Sequence, residues 1–172
     1  MTKTYYTDGS SRGNPGPGGW GYVRLEGDKI FDYDHGRELK TTNNRMELMA
    51  ILKVAEIAAE NPSDEFIIYT DSLYCVNSIN KWMRGWASNN WVRPNKQPVE
   101  NLELMQALYK LFSRDFFNAT VRKIPGHVNI LGNELADRLA TNHMIEFDGL
   151  LEVNSIKPGK DKPKHPVEIW NF

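Results

Sequence analysis

The spacing of apolar and polar residues divides the chain into alternating short strands and longer helices. Residues 3–8 read as a strand ending at Asp8. Residues 9–19, rich in Gly and Pro, read as a loop. Strands follow at 20–26 and 29–38, joined by a tight turn at Gly27-Asp28. Residues 43–60 carry a helical period and stop at Asn61-Pro62. Residues 65–70, Glu-Phe-Ile-Ile-Tyr-Thr, have the apolar character of a buried strand and end at Asp71. Short helices are expected at 72–80 and 81–86, a loop at 87–99, and an amphipathic helix at 100–113. A fifth strand at 119–124, a loop at 125–132 and a helix from 133 to 142 complete the pattern. This order predicts an α/β domain over residues 1–153. After it comes a lysine- and proline-containing tail at 154–172.

The connections carry a geometric consequence. Three strands on short connections form a meander, so the third ends at the same edge as the first. The helix 43–60 starts at that edge and runs down, and strand 65–70 runs up again in a right-handed crossover. Asp8 and Asp71 therefore end neighbouring parallel strands, roughly 4.8 Å apart. Glu47 shares its helical face with Ala50, Ile51, Val54 and Ala58, whereas Lys53, Glu56 and Glu60 point away. A carboxylate on a core face must be paired, protonated or metal-bound. The last helix starts at the same edge, which brings Asp137 there, with His127 in the preceding loop. Four carboxylates are thus expected to converge. Like charges a few ångström apart repel by about 4 kcal/mol per pair at an effective dielectric near 20. Hard divalent cations relieve that repulsion. Four acids without cysteine suit Mg²⁺ or Mn²⁺, and a pair of such ions suits phosphodiester hydrolysis.

Composition narrows the class. The 172 residues fit one domain, and 40% hydrophobic with 25% charged residues is ordinary for a globular chain. The longest apolar stretch, Met46 to Ala59, contains Glu47, Lys53 and Glu56, too polar to span a bilayer. The first residues lack an apolar signal-peptide core. The single cysteine, Cys75, excludes an intramolecular disulfide framework. A reducing, cytoplasmic setting is the expectation. A net charge of −1 argues against a general nucleic-acid coat protein. The charge is unevenly spread. Residues 81–100 hold Lys81, Arg84, Arg93 and Lys96 against Glu100 alone, interleaved with Trp82, Trp86 and Trp91. Cations there suit phosphates and indoles suit sugars or bases, with one of Trp82 and Trp86 expected to be mainly buried. The amides Asn14, Asn43 and Asn44 suit minor-groove edges and 2′-hydroxyls, or alternatively a turn and a helix cap. The Gly-rich segment lacks the Lys-Ser/Thr ending of a nucleotide P-loop.

Four segments together resemble the type 1 ribonuclease H family. They are Thr7-Asp8-Gly9-Ser10 with Gly13-Asn14-Pro15-Gly16, Thr41-Thr42-Asn43-Asn44-Arg45-Met46-Glu47-Leu48, Thr70-Asp71-Ser72, and Gly126-His127 with Asn133-Glu134-Leu135-Ala136-Asp137. The resemblance covers about residues 1–145. It implies a ribonuclease H-like five-stranded mixed sheet flanked by helices on both faces. It also implies endonucleolytic cutting of the RNA strand of RNA–DNA hybrids, leaving 5′-phosphate and 3′-hydroxyl ends. On this resemblance Asp8 bridges two Mg²⁺ ions, Asp137 joins one, and Glu47 and Asp71 join the other. Mn²⁺ is able to substitute. His127 assists proton movement or product release. Asn14, Asn43 and Asn44 read the minor groove, Thr42 and Asn101 hold a DNA-strand phosphate, and Trp82 and Glu134 join the substrate contacts. A monomer needing no protein partner and no membrane is expected.

The chain departs from the family pattern in three places. Leu73 stands where relatives often carry a hybrid-contacting Gln. Ala87-Ser88-Asn89-Asn90 adds no charge to the basic segment, so weaker and more salt-sensitive binding is expected. The tail falls outside the resemblance. A transposase- or resolvase-type DNA nuclease of the same fold, and a non-catalytic hybrid-binding module, are the competing readings.

Overall fold

The computed structural model describes residues 1–141. Its centre is β1 (Thr2–Ser11), flanked by β2 (Gly16–Glu26) and β4 (Glu65–Thr70) in a five-stranded sheet of order β3-β2-β1-β4-β5, with β3 at Lys29–Thr41 and β5 at Ala119–Lys123. β1 pairs antiparallel with β2, placing Asp8 opposite Gly21, and parallel with β4, placing Tyr6 opposite Tyr69. β5 pairs parallel with β4 and β3 antiparallel with β2. The crossover from β3 to β4 runs through α1 (Asn43–Glu60).

Strand alternation assigns residues to two cores. Tyr5 faces α1 and stacks on Phe66 at 5.7 Å, within a cluster that includes Ile51, Val54, Ile68 and Leu108. Tyr6 faces the opposite layer, where Val23, Leu25 and Ile30 pack on Leu135 and Leu139 of α5 (Leu131–Thr141). Helices therefore cover both faces of the sheet. α5 lies close over β2 because Gly21 has no side chain there. A Cβ would stand 2.5 Å from Leu139 Cβ. Asn118, buried, ties the turn after α1 to the start of β5. Its amide donates to the carbonyls of Ala58, Asn61 and Asp64 at 2.8–2.9 Å.

Several element boundaries differ from the sequence pattern. The stretch expected as a loop at 9–19 is mostly sheet. Ser10 pairs with Gly19 and Ser11 with Gly18, which leaves only residues 12–15 as the turn. Ladder pairing needs backbone amides alone, so glycine content did not prevent it. β3 runs on to Thr41 because Gly16 pairs with it. The two short helices expected at 72–86 are one helical run. α2 (Leu73–Asn77) passes through a π turn at Ser78–Trp82 into α3 (Met83–Ser88). α4 spans Leu102–Phe112, preceded by Asn101 in the left-handed region at φ 55°. The expected tail at 154–172 lies outside the described residues. Among the described residues no helix is long and apolar enough to cross a membrane.

Candidate active site

β1, α1 and β4 each deliver one carboxylate to the same rim. Asp8 comes from β1, Glu47 from one turn into α1, and Asp71 from the residue after β4. One oxygen of each lies within 4.8 Å of the others. Asp8 and Glu47 are only 6% and 8% exposed, so their charges are largely withdrawn from water. Strand ends are held together by the Thr7 hydroxyl, which donates to the Tyr69 carbonyl at 3.4 Å. Gly9 lets α1 approach. A Cβ there would lie 2.2 Å from the Glu47 nitrogen. α1 starts where it does because Thr42 Oγ1 accepts the Arg45 N–H at 3.2 Å.

This crowding shifts the acids. Burial, reinforced by the Glu47, Asp71 and Asp137 charges, holds the Asp8 carboxyl well above the usual carboxylate range. Burial pushes Glu47 up to about 7, with the Asp71 charge acting in the same direction. Glu47 Oε2 is buried without a hydrogen-bond partner. A buried carboxylate oxygen left unpaired carries a desolvation cost, and a cation removes it. With only oxygen donors present, the set fits a hard divalent ion.

The three acids open into a cavity of about 330 Å³, also lined by Ser10, Asn43, Asn44, Ser72, His127 and Asp137. Asp137, on α5, belongs to this wall but not to the tight trio, so three carboxylates, not four, make the closest cluster. His127 is exposed on the rim in the left-handed region at φ 55°. Asn43 Oδ1 accepts the Ser11 N–H at 2.6 Å, and Asn14 Oδ1 accepts the Asn43 N–H at 3.3 Å. Asn14 and Asn43 thus meet around Ser11, and the helix is capped by Thr42 and not by Asn43 or Asn44. Thr42, Asn14, Asn101, Trp82 and Glu134 do not line the cavity. Asn101 Nδ2 donates to the Tyr74 hydroxyl at 3.3 Å. Trp82 is 43% exposed and tilts against half-buried Trp86 at 5.9 Å. Glu134 is half-buried in the first turn of α5. Leu73 is exposed at the start of α2. Sequence reasoning missed Ser10 and Ser72 in the wall. Extending β1 through Ser11 is the signal that places Ser10 at the rim.

A mixed sheet that brings an acid from β1, one from α1 and one from just past the parallel neighbour β4 to a single solvent-open rim able to hold a metal ion suits a nuclease hydrolase. Residues 1–145 match the family model for RNase H. A Ribonuclease H of Rhizobium johnstonii is 44% identical over 142 residues, covering 83% of this chain and 91% of that protein. One from Rickettsia typhi is 44% identical over 138 residues, covering 78% and 86%. A solved type 1 RNase H with the type 2 active-site motif superposes with TM-score 0.66 at 28% identity, covering 81% of this chain and 70% of that one. A foamy viral protease-reverse transcriptase in complex with RNA/DNA hybrid gives TM-score 0.68 at 26% identity, covering 80% of this chain and 19% of that one. The chain belongs to the ribonuclease H family.

Proposed function

We propose that the protein hydrolyses the RNA strand of RNA–DNA hybrids with two Mg²⁺ ions, leaving 5′-phosphate and 3′-hydroxyl ends. The observation that carries this reading is the buried trio of acids with Glu47 Oε2 unpartnered. Asp8, Glu47 and Asp71 would hold one ion, and Asp8 with Asp137 the other, with Mn²⁺ able to replace Mg²⁺. Bound ions of this kind neutralise the acids and favour in-line displacement at phosphorus. The protein's own groups do the rest. Exposed His127 exchanges a proton with solvent at the cavity mouth. Asn43 and Asn44, with Asn14 behind Ser11, face the groove edges and 2′-hydroxyls. Thr42 accepts a bond from the Arg45 N–H, which leaves its own O–H free for a DNA-strand phosphate beside Asn101. Trp82 offers an exposed indole to the substrate backbone, and Glu134 supports the substrate side of α5. A catalytic unit over residues 1–153, acting as a monomer in the cytoplasm, completes the reading.

Matched RNA–DNA, RNA–RNA and DNA–DNA duplexes, each with and without Mg²⁺, test it. The expected result is RNA-strand cleavage of the hybrid alone, only with the ion. Cleavage of the DNA duplex instead would move the protein to the transposase or resolvase class.

A further inference from the structure

A second, larger cavity lies beside the acidic one. It measures about 690 Å³ and is lined by Arg12 of the β1–β2 turn, Arg37 of β3 and Arg138 of α5, with Ser10, Ser11 and the end of α5. No carboxylate among the described residues lines it. Arg12 and Arg138 form no ion pair among the described residues. Ser10 lines both cavities, so the two share a wall. Arg12 and Arg138, lining one depression beside Arg37, suit an oxyanion, which guanidinium groups bind through fixed arrays of N–H donors. The basic Trp-containing segment supplies few cations, so this cluster adds positive charge from other parts of the fold.

We propose that this cavity is a phosphate subsite for the strand being cut, separated from the acids by about two nucleotides. The spacing comes from the sheet. Ser11 stands three residues along β1 from Asp8, roughly 10 Å at about 3.3 Å per residue. The rise of about 3.4 Å per nucleotide is measured along the duplex axis; along the wound strand successive phosphates stand nearly twice as far apart, about 6 Å, so the same span reaches a phosphate about two nucleotides away. The subsite rests on the nuclease reading given above. It holds the cut strand in register by charge, beside the amides of Asn14 and Asn43 that meet at Ser11.

Arg12→Gln with Arg138→Gln, and the matching lysine pair, test it in the full chain. Hybrid affinity is measured in an Asp71→Asn background with Mg²⁺, against salt, using hybrids that carry one neutral methylphosphonate at successive positions of the RNA strand. The glutamine pair is expected to weaken binding by up to about fivefold per arginine. It should also flatten the slope of log affinity against log salt by about 1 per arginine. Neutralising the phosphate about two nucleotides from the cut should weaken the parent protein and leave the glutamine pair unaffected. The lysine pair should recover most of the slope. In the native background the loss should fall in KM. A thermal melt within a few degrees of the parent shows that the pair folds. An unchanged slope, or a loss equal at every phosphate position, overturns the subsite while hybrid cleavage stands. Position-specific loss in a protein that cuts no hybrid overturns the nuclease reading and leaves the subsite standing.

Discussion

Burial of Glu47 is unfavourable for the apo protein and useful to the loaded one. Its folded pKa of about 7 exceeds the ordinary glutamate value of 4.5. Between those values the folded state binds more protons than the unfolded chain, so stability falls as pH rises. In EDTA, melting measured at pH 5 and pH 8 should show the higher temperature at pH 5. The difference is about 2–3 kcal/mol, or about 5–10 °C for a chain of this size. Asp8 contributes in the same direction. Glu47→Gln should flatten the profile, and a pH-independent melt in the parent would contradict the argument. For the reaction, Asp8→Asn and Asp71→Asn should each lower the cleavage rate beyond the roughly hundredfold that outer-shell changes alone produce. Hybrid binding by gel shift should survive. Glu47 was legible as unusual from its place on the apolar face of a helix. Ser10 was not, because its segment looked like loop.

At the scale of elements, the start of α1 positions two parts of the site at once, Glu47 and the Asn43–Ser11 contact. Thr42→Ala removes the N-cap and should destabilise the protein by about 1 kcal/mol in urea. Gly9→Ala is more severe. Its Cβ meets main-chain atoms of Met46 and Glu47, which cannot step aside as a flexible side chain would. A loss of about 3 kcal/mol is expected, with reduced cleavage because α1 is displaced from β1. Equal stability of Gly9→Ala and parent would show that the two elements pack more loosely than the structure has them. Glycine in residues 9–19 carries no strand propensity, so the long β1–β2 hairpin was hidden. It forms because the two segments are held opposite each other by the apolar residues farther along, such as Tyr5, Tyr22 and Val23.

Across the whole molecule, the site and global stability are linked. Three parts of the chain, Asp8, Glu47 and Asp71, are far apart in sequence and repel one another, so an ion that binds only the folded form should stabilise it everywhere. At pH 8, Mg²⁺ at about 100 times its dissociation constant should raise the melting temperature by about 5–10 °C. Asp8→Asn with Asp71→Asn should abolish that increment. A parent melting curve insensitive to Mg²⁺ would argue that the acids do not share an ion. The near-neutral total of −1 conceals a division of charge, acids in one cavity and arginines in its neighbour. Nucleic acid responds to that local arrangement more than to the sum.

The order of elements, the mixed α/β sheet and the identity of the acids were written in local pattern. Strand alternation, helical period and turn residues act over a few positions and need no distant partner. What folding alone decided concerns distance and company. Asp8, Glu47 and Asp71 form the tight trio while Asp137 stands on the wall, because α5 reaches the rim from the opposite face of the sheet. Arg12, Arg37 and Arg138, unremarkable one by one, meet because the β1–β2 turn, β3 and the end of α5 pack together. Long-range packing sets such encounters, and no spacing within a single segment encodes them.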